Sequence, residues 1–154
     1  MATKVLGLDR LRRKLKRFPE AVEAEIKAAM EVSANEIVAM MKSLVPVDGG
    51  ALRDSIAWTW GAAPKGSMTI GRVQSGSGNL VITIYAGGGD AFYAFMVEFG
   101  SAPHLNGGRF QGSQHPGVAA QPFFFFSFRA LRRRAKGRVT RAINKAAKQV
   151  AAGG

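Results

Sequence analysis

Residues 91–104, AFYAFMVEFGSAPH, and residues 119–131, AAQPFFFFSFRAL, are the part of the sequence that decides the fold. Together they hold most of the ten phenylalanines, and the first holds Glu98, the last acidic residue of the chain. The aromatic spacing of the first stretch predicts a short helical turn. After Glu98 the chain has only neutral and basic residues, so the two stretches mark the change from a mixed-charge part to a purely cationic part of the sequence.

A long helix is predicted after the second stretch. Pro122 fits the first position of a helix, and apolar residues recur at helical spacing from about Phe123 to Val150. The opposite face is almost entirely arginine and lysine. For residues 151–154 we predict a disordered tail.

A second long helix is predicted upstream, from about Glu20 to Leu44, ending before Pro46. A shorter amphipathic helix precedes it and is expected to end before Pro19. Alternating apolar residues predict strands at 55–60, 68–73 and 79–86, joined by glycine-rich turns. The order predicts an α+β fold in a single domain, residues 1–154, with a long N-terminal helix, a small antiparallel sheet of three to four strands and a long basic C-terminal helix.

The charge is concentrated at the two ends of the chain. The net charge is +12, with seven of the 22 lysines and arginines near the start and nine near the end. Such clusters indicate a polyanion, an acidic protein surface or a membrane face as partner. The sequence has no cysteine, which excludes thiol catalysis and thiolate metal sites. Because no signal peptide or membrane-spanning run is visible, we expect a soluble protein. We expect no membrane partner, because the aromatic residues cluster at one end of the basic C-terminal segment and not along it.

Catalysis finds little support in the sequence. His104 and His115 lie in a loop without Cys, Asp or Glu at ligand spacing. The acids of the long helix are more typical of a solvated face than of an acid–base pair. The GGGD of residues 87–90 lacks the residues of a phosphate-binding loop and predicts a turn. We therefore predict no catalytic residue, no metal and no cofactor.

The basic face of the C-terminal helix has two interpretations. It is either a solvated face or a surface that contacts DNA phosphates without sequence preference. No helix-turn-helix, zinc or ribbon signature indicates base-specific binding. The candidate DNA or partner contacts are Arg132, Arg133, Arg134, Lys136, Arg138 and Arg141.

The phenylalanine-rich stretches fit either a core or an interface between subunits. Between them, residues 101–120 have no periodicity and are predicted to be a long flexible loop that orders against a neighbour. Its candidate interface residues are His104, Arg109, Phe110 and His115. We expect Glu98 to pair with an arginine of its own or a neighbouring C-terminal helix.

Several short motifs occur in a recognisable order: PVDGGALRDSI at 46–56, YA at 85–86, FYA at 92–94, VEFGS at 97–101 and AQPFF at 120–124. In this order and spacing the chain resembles the head-to-tail joining, or tail-completion, proteins of long-tailed bacteriophages and of related prophage and gene transfer particles. The residues that carry the family-like pattern are Pro46, Asp48, Gly50, Leu52, Ser55, Tyr93, Glu98, Gly100, Pro122 and Phe123.

The resemblance implies a non-enzymatic virion protein, assembled in the cytoplasm of a bacterial host. Its subunits would form a ring, expected to be hexameric, in the neck between a head connector or stopper and the tail terminator or tube, with DNA passing through. Two departures are Gly49, where the family usually has Thr or Ser, and the insertion at 105–119, in a loop that is commonly shorter. A stand-alone, sequence-independent DNA-binding protein is the alternative.

Overall fold

The computed structural model describes residues 8–74 and 80–152, and its side chains from residue 20 onward except those of residues 21, 71–74 and 90. The helices are α1 (Leu8–Leu44), α2 (Ala51–Ser55), α3 (Ala94–Phe99) and α4 (Phe124–Ala152), with 3-10 turns at Gly89–Ala91 and Gly108–Phe110. The strands are β1 (Ala57–Trp60), β2 (Met68–Gln74), β3 (Val81–Ala86), β4 (His104–Leu105) and β5 (Gln114–His115). The predicted α+β class and the order of its elements are confirmed.

The N-terminal helix is longer than predicted, because α1 runs through Pro19 without interruption. The prediction of a separate short helix before Pro19 is wrong. Proline removes one helix hydrogen bond, but its fixed φ near −65° is itself helical. The apolar spacing also continues in register across it, since Leu15, Phe18, Val22 and Ile26 follow one another at three or four residues. The side chains before Glu20 lie outside the described residues.

The main sheet has the strand order β1-β3-β2, and both pairs are antiparallel. A register shift between Ile70 and Val73 marks a bulge in β2. The strand predicted from Ser55 begins two residues later, at Ala57, because Ser55 is the last residue of α2. On β1, the Trp58 ring nitrogen donates a hydrogen bond of 2.8 Å to Asn35 of α1. This bond helps to hold the sheet against the C-terminal half of α1.

The chain divides into two compact units, one of Met1–Ser33 with Arg132–Gly154 and the other of Ala34–Leu131. In the first unit, Arg138 of α4 donates a hydrogen bond of 2.8 Å to the buried hydroxyl of Ser33 on α1. Lys145 and Glu25 form an ion pair at 3.3 Å. The core of the second unit contains Ile37, Met41, Val45, Leu52, Ile56, Ile70, Ile82, Ile84, Phe123 and Phe124.

Helix α2 begins without a capping side chain. The N-cap is Gly50, at φ 85° in the left-handed region, with no side-chain cap, and Asp48 is exposed. Glycine adopts this conformation without a steric cost, so the turn forms without a carboxylate. At the other end, the Ser55 hydroxyl donates to the Leu52 carbonyl at 2.6 Å and accepts from the Gly87 amide at 2.9 Å. Ser55 thereby joins α2 to the turn after β3.

Residues 101–120 contain a small hairpin within the predicted loop. Strands β4 and β5 pair antiparallel, with His104 opposite His115, and Ser101 pairs with Val118 at the base.

At the C-terminal end of the chain, α4 includes the first two residues of the tail predicted at 151–154. The last two lie outside the described residues.

Candidate functional site

The carboxylate of Glu98 caps the N-terminus of α4. Its Oε2 accepts hydrogen bonds from the backbone amides of Phe123 and Phe124 at 2.8 and 2.9 Å, and its Oε1 accepts one from Phe125 at 3.0 Å. The first amides of a helix have no partner within the helix and favour negative charge. Glu98 is 3% exposed, so α3 fixes the start of α4 through a buried, charge-assisted contact.

The expectation that Glu98 pairs with an arginine of its own helix α4 is therefore corrected, because backbone amides occupy both carboxylate oxygens. One feature of the sequence indicates that a distant side chain caps α4. Residues 119–123, AAQPF, contain none of the side chains that usually cap a helix N-terminus, so the cap has to come from elsewhere in the chain. Pro122 lies just outside α4, which begins at Phe124, and not at its first position.

Gly100 fixes the turn between α3 and the hairpin. Its amide donates to the Met96 carbonyl at 2.7 Å, and its backbone angles are φ 74° and ψ 176°. This region of conformational space is essentially restricted to glycine. A Cβ at this position would also lie 2.7 Å from the Val118 carbonyl oxygen. The family-like residues Glu98 and Gly100 thus share one task, which is to set the geometry of the α3–hairpin–α4 junction.

An aromatic surface covers the outer side of α3 and of the turn before it. It consists of Phe92, Phe95, Met96 and Phe99, all exposed, with Phe92 at 71% and Phe95 at 60%. The ring centroids of Phe95 and Phe99 are 4.7 Å apart, and those of Phe99 and Phe125 are 5.7 Å apart. The predicted alternatives of core and interface are therefore divided between different residues: Phe123 and Phe124 are buried, whereas the α3 phenylalanines face outward.

A pocket of about 310 Å³ lies beside this surface. We call it the aromatic pocket, and it is lined by Gly66, Ser67, Met68, Thr69, Phe92, Ala94, Phe95 and Phe125. None of these residues is charged. Phe92, Phe95 and Phe125 give the pocket an apolar wall, and Ser67 and Thr69 add polar groups, so it suits a neutral group with a large apolar part.

The hairpin presents two further apolar side chains to solvent. Leu105 and Phe110, which we call the hairpin tip, are 68% and 69% exposed. The His104 and His115 rings stack at 4.9 Å. His115 Nδ1 accepts from the Gly117 amide at 3.0 Å, and His104 Nδ1 lies 2.9 Å from the Ala102 carbonyl oxygen. Backbone groups therefore hold both histidine rings in place. Arg109, next to Phe110 in the sequence, is exposed.

Most of the cations predicted to contact DNA lie on the exposed side of α4. Arg132 and Arg133 each lie about one turn before Lys136, and we call these three residues the basic stripe. Arg134 and Arg141 are exposed on another part of the helix surface. Arg138 is the exception, because it is half-buried and bonded to Ser33.

No group of three or more His, Asp or Glu side chains within 8–74 and 80–152 is placed to hold a metal ion. In the same ranges, no helix combines the length and the apolar character required to cross a membrane.

A family comparison identifies the chain. Residues 9–100, from the second residue of α1 to the glycine after α3, match the model of the HK97-gp10-like family, described as a tail component of bacteriophages. The chain belongs to the HK97-gp10-like family. No curated protein and no solved structure matches it.

Membership makes the protein a structural component of the phage tail or neck, and places it in the virion. The matched segment includes α2, the main sheet, the aromatic surface and the junction residues Glu98 and Gly100. The hairpin and α4 follow it. The family match therefore covers the three helices α1–α3, the main sheet and the aromatic surface.

Proposed function

We propose that this HK97-gp10-like protein is the subunit of a homo-oligomeric ring, with six copies, in the neck of the particle. The ring joins the head connector or stopper to the tail terminator or tube and lets DNA pass. The observation that carries the proposal is the aromatic surface. A tail component with four large apolar side chains exposed side by side needs a protein partner to cover them.

The size of the aromatic surface supports an assembly role. Large side chains bury roughly 150–250 Å² each, so at the observed exposures the four expose on the order of 500 Å² of apolar area. The largest apolar patch on a typical monomer is about 300–600 Å², and patches of this size are often functional. Because Glu98 caps α4 from the same short helix, α3 presents these rings from a fixed position.

Removal of one exposed ring is expected to weaken assembly without unfolding the subunit. We expect Phe95→Ser to weaken self-association about tenfold, since burial of the exposed 60% of this side chain contributes about 1–2 kcal/mol. Native mass spectrometry over a concentration series measures the change. Val47→Ser, which removes another exposed apolar side chain far along the chain from α3, is the matched control. Equal effects of the two substitutions would contradict a specific role for the aromatic surface.

The exposed cations of α4 favour the second candidate function, a stand-alone protein that binds DNA without sequence preference. Arg132, Arg133 and Lys136 lie on one side of the helix, where each can contact a phosphate. In a neck ring the same residues would lie near the DNA path. The stand-alone function predicts tight binding to duplex DNA at physiological salt, whereas the ring function predicts weaker contact.

Neutralising the basic stripe is expected to weaken duplex binding and its salt dependence together. For Arg132→Ala/Arg133→Ala/Lys136→Ala, the negative slope of log affinity against log salt should become less steep by about 2 to 3, or 0.9 per lost phosphate contact. Fluorescence anisotropy with a random duplex measures it. The control is Arg53→Ala/Lys65→Ala/Arg109→Ala, which removes the same charge elsewhere. Submicromolar binding of the wild-type protein at physiological salt would favour the stand-alone function. An unchanged salt slope in the triple variant would exclude the basic stripe as the DNA contact.

A further inference from the structure

Two exposed apolar features of the unit Ala34–Leu131 complement each other. The aromatic pocket is concave, open and lined by neutral residues. The hairpin tip presents Leu105 and Phe110 to solvent, so neither side chain is used by its own subunit.

The hairpin holds its tip in place by its own hydrogen bonds. The Asn106 amide donates to the Ser113 carbonyl at 2.8 Å, and the Asn106 side chain donates to the Ser113 hydroxyl at 2.9 Å. The Ser113 hydroxyl in turn donates to the Phe110 carbonyl at 2.7 Å. At the base, Gly117 packs so closely on the Ser101 carbonyl oxygen that a Cβ would collide with it. Phe110 is thus exposed on an ordered support, which lowers the entropy cost of docking it.

The charges are compatible with contact between these features in two copies. Within residues 91–128 the charged side chains are the buried Glu98 and the exposed Arg109. The net charge of +12 is concentrated near the chain ends, so it opposes this contact little. None of the eight residues that line the pocket is charged, so a neutral tip fits it better than a strongly acidic partner would.

The exposed areas are sufficient for a stable interface when the contact extends from the pocket across Met96 and Phe99 of the aromatic surface. The aromatic surface and the hairpin tip together expose roughly 800 Å² of apolar area at 150–250 Å² for each large side chain. An interface is about 56–65% apolar, so this corresponds to a total of roughly 1,300 Å². Stable interfaces bury about 1,200–2,000 Å².

We propose that the hairpin tip of one copy docks into the aromatic pocket of the next copy. Because the two contact surfaces differ, the contact is head-to-tail, and repetition with closure generates a ring. The inference rests on the proposed ring function and names its interface, with Phe110 as the inserted side chain.

The absence of cysteine from the sequence allows a direct cross-linking test. We would introduce Gln111→Cys beside the tip and Thr69→Cys in the pocket, both at exposed positions, in the full-length chain. Treatment with a short bismaleimide should give a ladder of covalent multimers. Two controls should give no ladder beyond a dimer. One is each single cysteine variant, and the other is the pair Gln111→Cys/Thr140→Cys, whose second cysteine is at an exposed position of α4.

Native mass spectrometry of the same samples separates the possible failures. An oligomer without the 111–69 ladder overturns the docking inference and leaves the ring function intact. A chain that stays monomeric and unlinked at high concentration also overturns the inference, while detection of the protein in the neck of particles would still support the function. A ladder from a protein absent from the neck retains the contact and overturns the neck function.

A substitution at the tip provides an independent test. Phe110→Ser should weaken association about tenfold and abolish the ladder in the cross-linking background, whereas Val47→Ser, at an exposed apolar position outside the contact, should leave both unchanged. Circular dichroism checks that each variant folds. Wild-type association of Phe110→Ser would overturn the insertion of Phe110.

Discussion

Replacement of Glu98 by alanine is expected to lower the free energy of unfolding by about 4 kcal/mol, since each buried donor left without a partner costs about 1–3 kcal/mol. Three backbone amides at the start of α4 lose their acceptor, and Phe123 and Phe124, which carry two of them, are fully buried. The favourable interaction of the carboxylate with the helix dipole is lost as well. Urea denaturation followed by far-UV circular dichroism measures the change.

Two further variants identify the cause of this loss. Glu98→Gln keeps the shape and one acceptor oxygen, so its effect should be intermediate, about 2 kcal/mol. Asp54→Ala removes an exposed carboxylate and should change stability by no more than about 0.5 kcal/mol. If both Glu98 variants were as stable as the wild type, the capping role of Glu98 would be wrong.

The second large effect is expected at Gly100. Gly100→Ala should lower the free energy of unfolding by about 3 kcal/mol, because an L-residue is strained at φ 74° and ψ 176°. The new Cβ would also lie 2.7 Å from the Val118 carbonyl oxygen and 2.8 Å from the Ala120 amide nitrogen. Both atoms belong to the backbone and cannot move away as the end of a flexible side chain would. Thermal unfolding monitored by calorimetry or circular dichroism measures the loss.

Gly107 provides the matched control for this substitution. Its φ is −103°, and nothing lies within 4 Å of a Cβ built on it. Gly107→Ala should therefore change stability by about 0.5 kcal/mol or less. A Gly100→Ala protein as stable as Gly107→Ala would show that the α3–hairpin turn tolerates side chains.

The long helices and the main sheet were predictable because their signals are local. Apolar spacing over many residues marks α1 and α4, and alternation marks the strands. Pro19 alone does not end the helix, since the apolar periodicity crosses it unbroken and α1 continues through it. The hairpin strands of two residues each are too short to show any period, so sequence patterns could indicate only a loop.

The junction around Glu98 was predictable only in part. The motif order singled out Glu98, Gly100 and Phe123, but not their contact. The carboxylate meets backbone amides 25 to 27 residues away, and an amide acceptor site has no side-chain signature in the sequence. Charge counting therefore pointed to an arginine. The exposure of Phe92 and Phe95 was equally hidden, because core and interface use the same residue types.

The most direct test of the proposed ring is cryo-electron microscopy of purified particles that carry this protein. We predict a ring of six copies at the junction of head and tail, with Phe110 of each subunit in the aromatic pocket of its neighbour and the basic stripe close to the DNA path. Particles in which this protein is absent from the neck, or present there as isolated single copies, would contradict the proposed ring.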